Sequence, residues 1–414
     1  MSQAALFLPI WAAAHARLLF LFTRKEKEAK RKAARTFAPP QVRLNTGFIN
    51  TFEDKELPER LFEQMFPGFG EGGCTMKIII DAFGGDNAPA AVLEGCALAR
   101  SALAPQYKLE LILTGDEEAI RKAAQEKGID LSGITVVHAP TVIPVCEEPT
   151  QILKKYKDCS MAKGLQMLAA GEGDAFITAG STGAMVVGAT LIAKRIKGVK
   201  RAAIATPVPN AKGRYLLLDC GANEECRPEM LRQFGVMGTV YAQQVMGVPD
   251  PRVGLVNIGT EDSKGTGLQV EANKLLGEAG VNYLGNVEAR ELPLGGCDVA
   301  VADGFTGNVV LKLTEGMGKM FSQELKGMFL SSLLTKLGAV LLSGQIKAFK
   351  KRMDASEVGG ALLLGIRCPV IKAHGNSDGR AFLNAIRQAA LCCQNDVVGK
   401  ISQRLAAITG GGEE

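Results

Sequence analysis

Seven short stretches of this chain combine glycine with small polar or acidic side chains. They are Ile80-Asp81-Ala82-Phe83-Gly84-Gly85-Asp86-Asn87-Ala88-Pro89, Ala179-Gly180-Ser181-Thr182-Gly183-Ala184, Asp219-Cys220-Gly221-Ala222-Asn223, Asn257-Ile258-Gly259, Gly285-Asn286-Val287-Glu288, Asp303-Gly304-Phe305-Thr306-Gly307-Asn308 and His374-Gly375. A glycine-rich helix start offers unpaired backbone N–H groups and the positive end of the helix dipole, which suit an anion such as phosphate. Ser181, Thr182, Asn223 and Asn308 add neutral hydrogen-bonding groups, and Lys264 and Arg290 add charge. Asp81, Asp86, Asp219, Glu261 and Asp303 can orient groups or accept protons. Singly, each of these reads as a turn or cap residue. Together they point to an enzyme that handles phosphate without a covalent nucleophile.

The familiar alternatives are missing. The lysine between Gly259 and Gly265 has the wrong spacing for a Walker A loop, and there is no G-x-G-x-x-G dinucleotide fingerprint. Gly180-Ser181-Thr182-Gly183 lacks the spacing of a nucleophile elbow. Neither His138 nor His374 has Asp at the offset of the His-x4-Asp pattern of glycerol-phosphate acyltransferases. Three histidines without a cluster argue against zinc. Cys220 is read as a small buried filler rather than a nucleophile.

The polar stretches sit where a regular succession of elements would place them. Lys77–Ala82 is a short β-branched apolar run, the pattern of a buried strand. Gly84 and Gly85 turn the chain, Asp86 or Asn87 caps a helix, and Pro89 stands in its first turn. The same rhythm returns at Leu109–Thr114, Ile134–His138, Ala175–Ala179, Tyr215–Leu218, Val253–Ile258, Asn282–Leu284, Val299–Ala302 and Val370–Ala373. Alternating strands and helices predict an α/β fold, a doubly wound and mostly parallel sheet covered on both faces. Ligands of such sheets bind beyond the carboxyl ends of the strands.

Residues 1–75 do not share this rhythm. They hold 11 basic and 8 acidic residues, leaving the remainder with a balance of only +2, too little basic excess for a nucleic-acid binder. Ala4–Phe22 is mostly apolar but contains His15 and Arg17, and no basic residue precedes it as a secretory signal requires. A disordered extension is favoured over a membrane anchor. Glu71-Gly72-Gly73 before Met76 also fits a translated ribosome-binding sequence, so Met76 is expected to be the native start. The ten cysteines form no CxxC pair and are read as reduced thiols of a cytoplasmic protein. Gly316–Met353 breaks the rhythm as a protruding amphipathic helical segment, with Phe329, Leu333, Leu337 and Leu341 among its apolar residues and Lys350 and Lys351 near its basic end. Such a segment suits either an anionic membrane surface or a helical interface.

In their joint occurrence and order, the seven stretches, together with Lys157-Asp158-Cys159-Ser160-Met161, resemble the bacterial phosphate acyltransferase (PlsX) family from Met76 to near the C-terminus. Phe83 and Ser181 depart from the family's usual Met and Asn, and residues 1–75 have no counterpart. The resemblance implies transfer of a fatty acyl group from an acyl carrier protein thioester to inorganic phosphate, giving acyl phosphate for phospholipid synthesis. It implies no metal, nucleotide or other cofactor. It also implies a homodimer peripherally associated with the inner face of the cell membrane, with a glycerol-phosphate acyltransferase as a downstream partner. Asp81, Asp86, Asp303 and Asn308 become the catalytic candidates. Gly84, Gly85, Ser181, Thr182, Gly183, Asn223, Gly259, Lys264, Gly304, Gly307 and His374 become candidates for binding phosphate or substrate. An acidic carrier protein calls for a basic dock, for which Lys154, Lys155 and Lys157 are candidates. Two alternatives stay open: a phosphate acetyl- or butyryltransferase using coenzyme A, and a non-catalytic membrane-surface scaffold that binds acyl carrier protein.

Overall fold

The computed structural model describes residues 75–103, 105–353 and 357–409. The extension expected over residues 1–75 therefore lies, but for Thr75, outside the described residues.

The first half alternates strand and helix. Strand β1 (Met76–Asp81) leads to α1 (Ala90–Leu103), and β2 (Leu109–Gly115) to α2 (Glu117–Lys127). Then come β3 (Ile134–His138), α3 (Ser160–Ala169), β4 (Ala175–Thr178) and α4 (Thr182–Gly188). A hairpin of β5 (Ala203–Asn210) and β6 (Gly213–Leu218) opens the second half. It continues through α5 (Pro228–Gln244), β7 (Val253–Asn257), α6 (Gly267–Gly277), β8 (Tyr283–Glu288) and β9 (Val299–Val301). Helices α7 (Gly304–Leu330), α8 (Leu333–Leu341) and α9 (Ser343–Met353) follow. The chain then returns to the first half with β10 (Ala361–Leu364), β11 (Val370–Lys372), α10 (Gly379–Gln394) and α11 (Val397–Thr409).

All the strands join one eleven-stranded sheet in the order β3-β2-β1-β4-β11-β10-β5-β6-β9-β7-β8. Side chains alternate between its faces, as a period of two requires. Ile78 and Ile80 enter one core with Leu93, Phe234 and Phe382, while Ile79 enters the other with Met161, Leu165 and Met185. Helices therefore cover both faces, and the fold is α/β with a mostly parallel sheet, as the strand–helix rhythm implies.

The two parallel sets run in opposite directions. Between β11 and β6 stand β10 and β5, and every pairing across them is antiparallel. Neither of these two strands belongs to the sequence-derived set. In β10 only four residues follow the Gly359-Gly360 pair. In β5, Pro207 and Pro209 argue against a strand, but they lie past Ala205, where pairing with β10 ends and missing N–H groups cost nothing. The reversal brings the carboxyl ends of both sets to neighbouring rows. Lys372 pairs with Ala361, Leu362 with Ala205, and Thr206 with Leu217, three residues before Cys220.

Two further boundaries differ from expectation. Gly285–Glu288 is not a turn: β8 continues to Glu288 past a bulge at Leu284, with Gly285 at φ +95°. The helix that opens the amphipathic segment starts earlier than Gly316, since α7 begins at Gly304 and runs unbroken for 27 residues.

Gly307 marks the tightest packing. A Cβ there would collide with the Asp219 carbonyl, whereas one at Gly316 on the same helix meets open space. Gly307→Ala is expected to cost about 1–3 kcal/mol by overpacking. Gly316→Ala is expected to add about 0.5–1 kcal/mol by helix propensity. Urea unfolding of both variants measures this, and equal midpoints would contradict the packing.

Candidate active site

A cavity of about 420 Å³ opens where the two sets of strand ends meet. Polar residues line it, among them Thr182, Thr206, Asn308, Lys312, Lys372 and His374. Apolar residues line it too, among them Ile204, Pro207, Leu311, Val358 and Ala361. Cys220 and Gly221 also line it.

Each polar residue has an identifiable support. Thr182 and Gly183 start α4, whose cap Ser181 accepts from the Ala184 N–H at 3.4 Å. Gly183 is pressed on Pro149, since a Cβ would lie 2.7 Å from its ring. Asn308 comes on the first turns of α7, close to Gly221. One turn later Lys312 reaches Glu315 at 3.1 Å, and the other oxygen of Glu315 lies 3.5 Å from His374 Nε2. This bridge ties α7 to the loop leaving β11. Its partners are partly exposed, so it contributes on the order of 0–1 kcal/mol. Burial holds His374 below its ordinary value, with Glu315 opposing and the nearby lysines reinforcing that effect.

The turn after β1 folds against the same corner. Gly85, at φ +99°, lies on the Gly375 carbonyl, and a Cβ on Gly84 would lie 2.6 Å from the Gly180 nitrogen. The Asp86 N–H donates to the Gly375 carbonyl at 2.7 Å. Asp81 is only 2% exposed and does not line the cavity. It accepts from the Thr178 hydroxyl at 2.7 Å and the Phe83 N–H at 3.2 Å. Burial pushes its carboxyl up, opposed by these bonds, the Ser160 hydroxyl and the charge of Lys372.

Lys372 and Lys312 were not among the sequence-derived candidates. The available signal for Lys372 was a lysine closing the apolar run Val370-Ile371, a costly place for an ammonium without partners. Its Nζ donates to the carbonyls of Ala179, at 3.1 Å, and Ala373. Burial pulls its pKa down to about 8, partly countered by Asp81 and Asp86.

Other candidates are placed outside the cavity. Asp303 caps α7, accepting from the Thr306 N–H and hydroxyl at 2.8 Å each. The Asn223 amide donates to the Ala202 carbonyl and to Asp219. Gly304 donates its N–H to the Asn223 carbonyl at 2.8 Å, and Gly307 serves the close approach already described. Gly259 and Lys264 form a self-contained loop after β7, where the Asn257 amide donates to the Lys264 carbonyl at 3.0 Å. The Cys220 thiol, pushed up to about 12 by burial, stays protonated near neutral pH and donates to the Leu217 carbonyl.

The profile of the Fatty acid synthesis protein family matches residues 76–400. The phosphate acyltransferase of Alkaliphilus oremlandii (strain OhILAs) is 44% identical over 333 residues, 80% of this chain and 98% of that protein. That of Clostridium novyi (strain NT) is 44% identical over 330 residues, with the same coverage. The chain belongs to the phosphate acyltransferase family. It is an acyltransferase enzyme of lipid synthesis. Among solved structures, a phosphotransacetylase from Streptococcus pyogenes aligns with a TM-score of 0.53 at 19% identity, covering 82% of this chain and 99% of that one. The EutD phosphotransacetylase from Staphylococcus aureus gives 0.51 at 17% identity, covering 81% and 97%. At these identities the likeness concerns the fold.

The geometry separates Asp303 from Asn308. Asp303→Ala should lower stability by about 1 kcal/mol through the lost cap. Asn308→Ala, facing the cavity, should leave stability within about 0.5 kcal/mol and lower turnover on the order of tenfold or more. Thermal unfolding beside initial rates checks both, and unchanged turnover in folded Asn308→Ala would remove that residue from the site.

Proposed function

We propose that this phosphate acyltransferase takes a fatty acyl group from an acyl carrier protein thioester and passes it to inorganic phosphate, releasing acyl phosphate. The observation that carries the reading is the mixed lining of the cavity, which holds cationic and hydrogen-bonding groups together with apolar side chains. The first suits phosphate and the second the acyl chain. A phosphate oxygen attacks the thioester carbonyl carbon, a C–O bond forms and the C–S bond breaks. The sulfur leaves with the electron pair of that bond and takes up a proton from water. Phosphate is its own nucleophile, so the protein desolvates and aims it. The Asn308 amide is suited to donate to the oxyanion that develops on the carbonyl.

Lys154, Lys155 and Lys157 are the proposed dock for the acidic carrier protein. They follow the turn 149–153, whose Pro149 packs on Gly183 at the cavity rim. Lys155 is tethered at 3.4 Å to Glu147 and lies over the Tyr156 ring. Charge on this rim steers a partner more than it holds it. Reversing all three lysines to Glu should raise KM for the acylated carrier at least tenfold at low salt and leave kcat within about twofold. A coenzyme A thioester should be little affected. If wild type uses only coenzyme A thioesters, the carrier reading falls.

The helical tip is the proposed membrane contact. Helix α8 buries none of its residues, and Leu333 and Leu341 are 83% and 76% exposed, with Leu337 also exposed. Phe329 stands at the end of α7, and Lys350 and Lys351 belong to α9. No helix among the described residues is long and apolar enough to cross a membrane. An apolar patch beside basic residues suits the surface of an anionic bilayer, at about 1 kcal/mol per lysine near the headgroups. The exposed stripe Val309, Leu313 and Met317 on α7 is the proposed homodimer face. Making labile acyl phosphate at the bilayer would place it beside a downstream glycerol-phosphate acyltransferase. Leu337→Glu with Leu341→Glu should abolish sedimentation with anionic liposomes and keep the acyltransferase rate. Retained sedimentation would remove the tip from the membrane, and dissociation to monomers would assign these leucines to the dimer.

A further inference from the structure

We propose that Lys372 is the phosphate ligand of this site. The inference rests on the phosphate-accepting reaction above and names the group that holds the phosphate.

An ammonium has three N–H donors. Two of those on Lys372 go to the carbonyls of Ala179 and Ala373, one at the end of β4 and one just past β11. These anchors fix Nζ at the cavity wall and leave one donor for a ligand. The wall is built for an anion rather than a cation, since Lys312 and the Asn308 amide stand on it as well. Lys312 is 61% exposed and shared with Glu315, so it is the more mobile of the two charges. Lys372 is half-buried, and there a charge acts through less water and interacts more strongly.

The groups that face Lys372 come from every element around it. Asp81 at the end of β1 and Asp86 in the following turn favour the ammonium, while Lys312 of α7 opposes it. His374 lies two residues on and is itself paired with Glu315 of α7. Burial lowers the pKa of Lys372 to about 8, so its charge is complete well below that value and is lost as pH rises through it. Inorganic phosphate titrates to its dianion near neutral pH and is a dianion above about pH 8, so the change in affinity above that pH reports the lysine.

The test is the KM for inorganic phosphate as a function of pH, with whichever thioester the wild type uses as donor. A failed carrier-protein reading is thereby seen separately, as a wild type that accepts only coenzyme A thioesters. Lys372→Met should raise KM for phosphate about 10- to 100-fold, the range for a lost charge-assisted hydrogen bond, and change KM for the thioester less than about threefold. Wild-type KM should rise above about pH 8, and Lys372→Arg should flatten that rise. A folded Lys372→Met variant with wild-type phosphate KM overturns the proposal. If that variant does not fold, a wild-type phosphate KM that is flat between about pH 8 and pH 9.5 overturns it equally.

Discussion

The cavity depends on the contact between the first turns of α7 and the turn that follows β6. There is no side chain in the centre of that contact: Gly307 lies directly on the Asp219 carbonyl, and the Gly304 N–H bonds to the Asn223 carbonyl. The turn is held from within by the Asp219 carboxyl, which accepts from the backbone N–H groups of Ile204, Gly221, Ala222 and Asn223 and from the Asn223 amide. Burial pushes that carboxyl up, and the donors pull against it by favouring the carboxylate. Seated this closely, α7 carries Asn308, Lys312 and Glu315 over the gap between the two parallel sets. The helix then continues outward for about 40 Å from its first residue to its last, given 27 residues at 1.5 Å each. One rigid element thus links the site to the exposed leucines of α8, so the placement of the reaction relative to a surface is set by the same contact that builds the cavity.

The acidic residues divide their work. Asp303 and Asp219 spend both carboxyl oxygens on backbone and local donors, and their role is to hold turns. Asp81 is buried and accepts from the Thr178 hydroxyl and the Phe83 N–H. No acidic side chain among the described residues lines the cavity. That suits a reaction whose nucleophile is already an anion, because a carboxylate beside phosphate would repel it and a general base is not needed. The inert thiol of Cys220 fits the same scheme, with the protein supplying fixed charge and dipoles rather than a covalent intermediate.

The direction reversal in the sheet explains which glycine-rich stretches meet. In a uniformly parallel sheet all the carboxyl ends share one edge. Here they approach the centre from opposite sides, so only stretches within two strands of the β10–β5 pair reach the cavity. Those after β4, β6, β9 and β11 do so. The stretch after β7 lies farther along the sheet and closes on itself around Asn257.

Local physics made much of this legible in the chain itself. Short β-branched runs ending in glycine and a capping residue specify strand, turn and helix through nearest-neighbour sterics and hydrogen bonds, and β1, β2, β4, β6, β7, β9 and β11 follow from them. The family was legible too, because its motifs recur in order over the matched length. What the tertiary structure decided was long-range. Strands β5 and β10 carry weak local signals, with two prolines in one and four residues in the other, yet their antiparallel pairing turns one half of the sheet against the other. That pairing selects Thr182, Asn308 and His374 from a longer set of equivalent-looking residues, and it adds Lys312 and Lys372. A lysine's chemistry depends on burial and on neighbours far away in sequence. Asp81 lies 291 positions before Lys372, and no spacing rule along the chain encodes a contact that only the closed sheet creates.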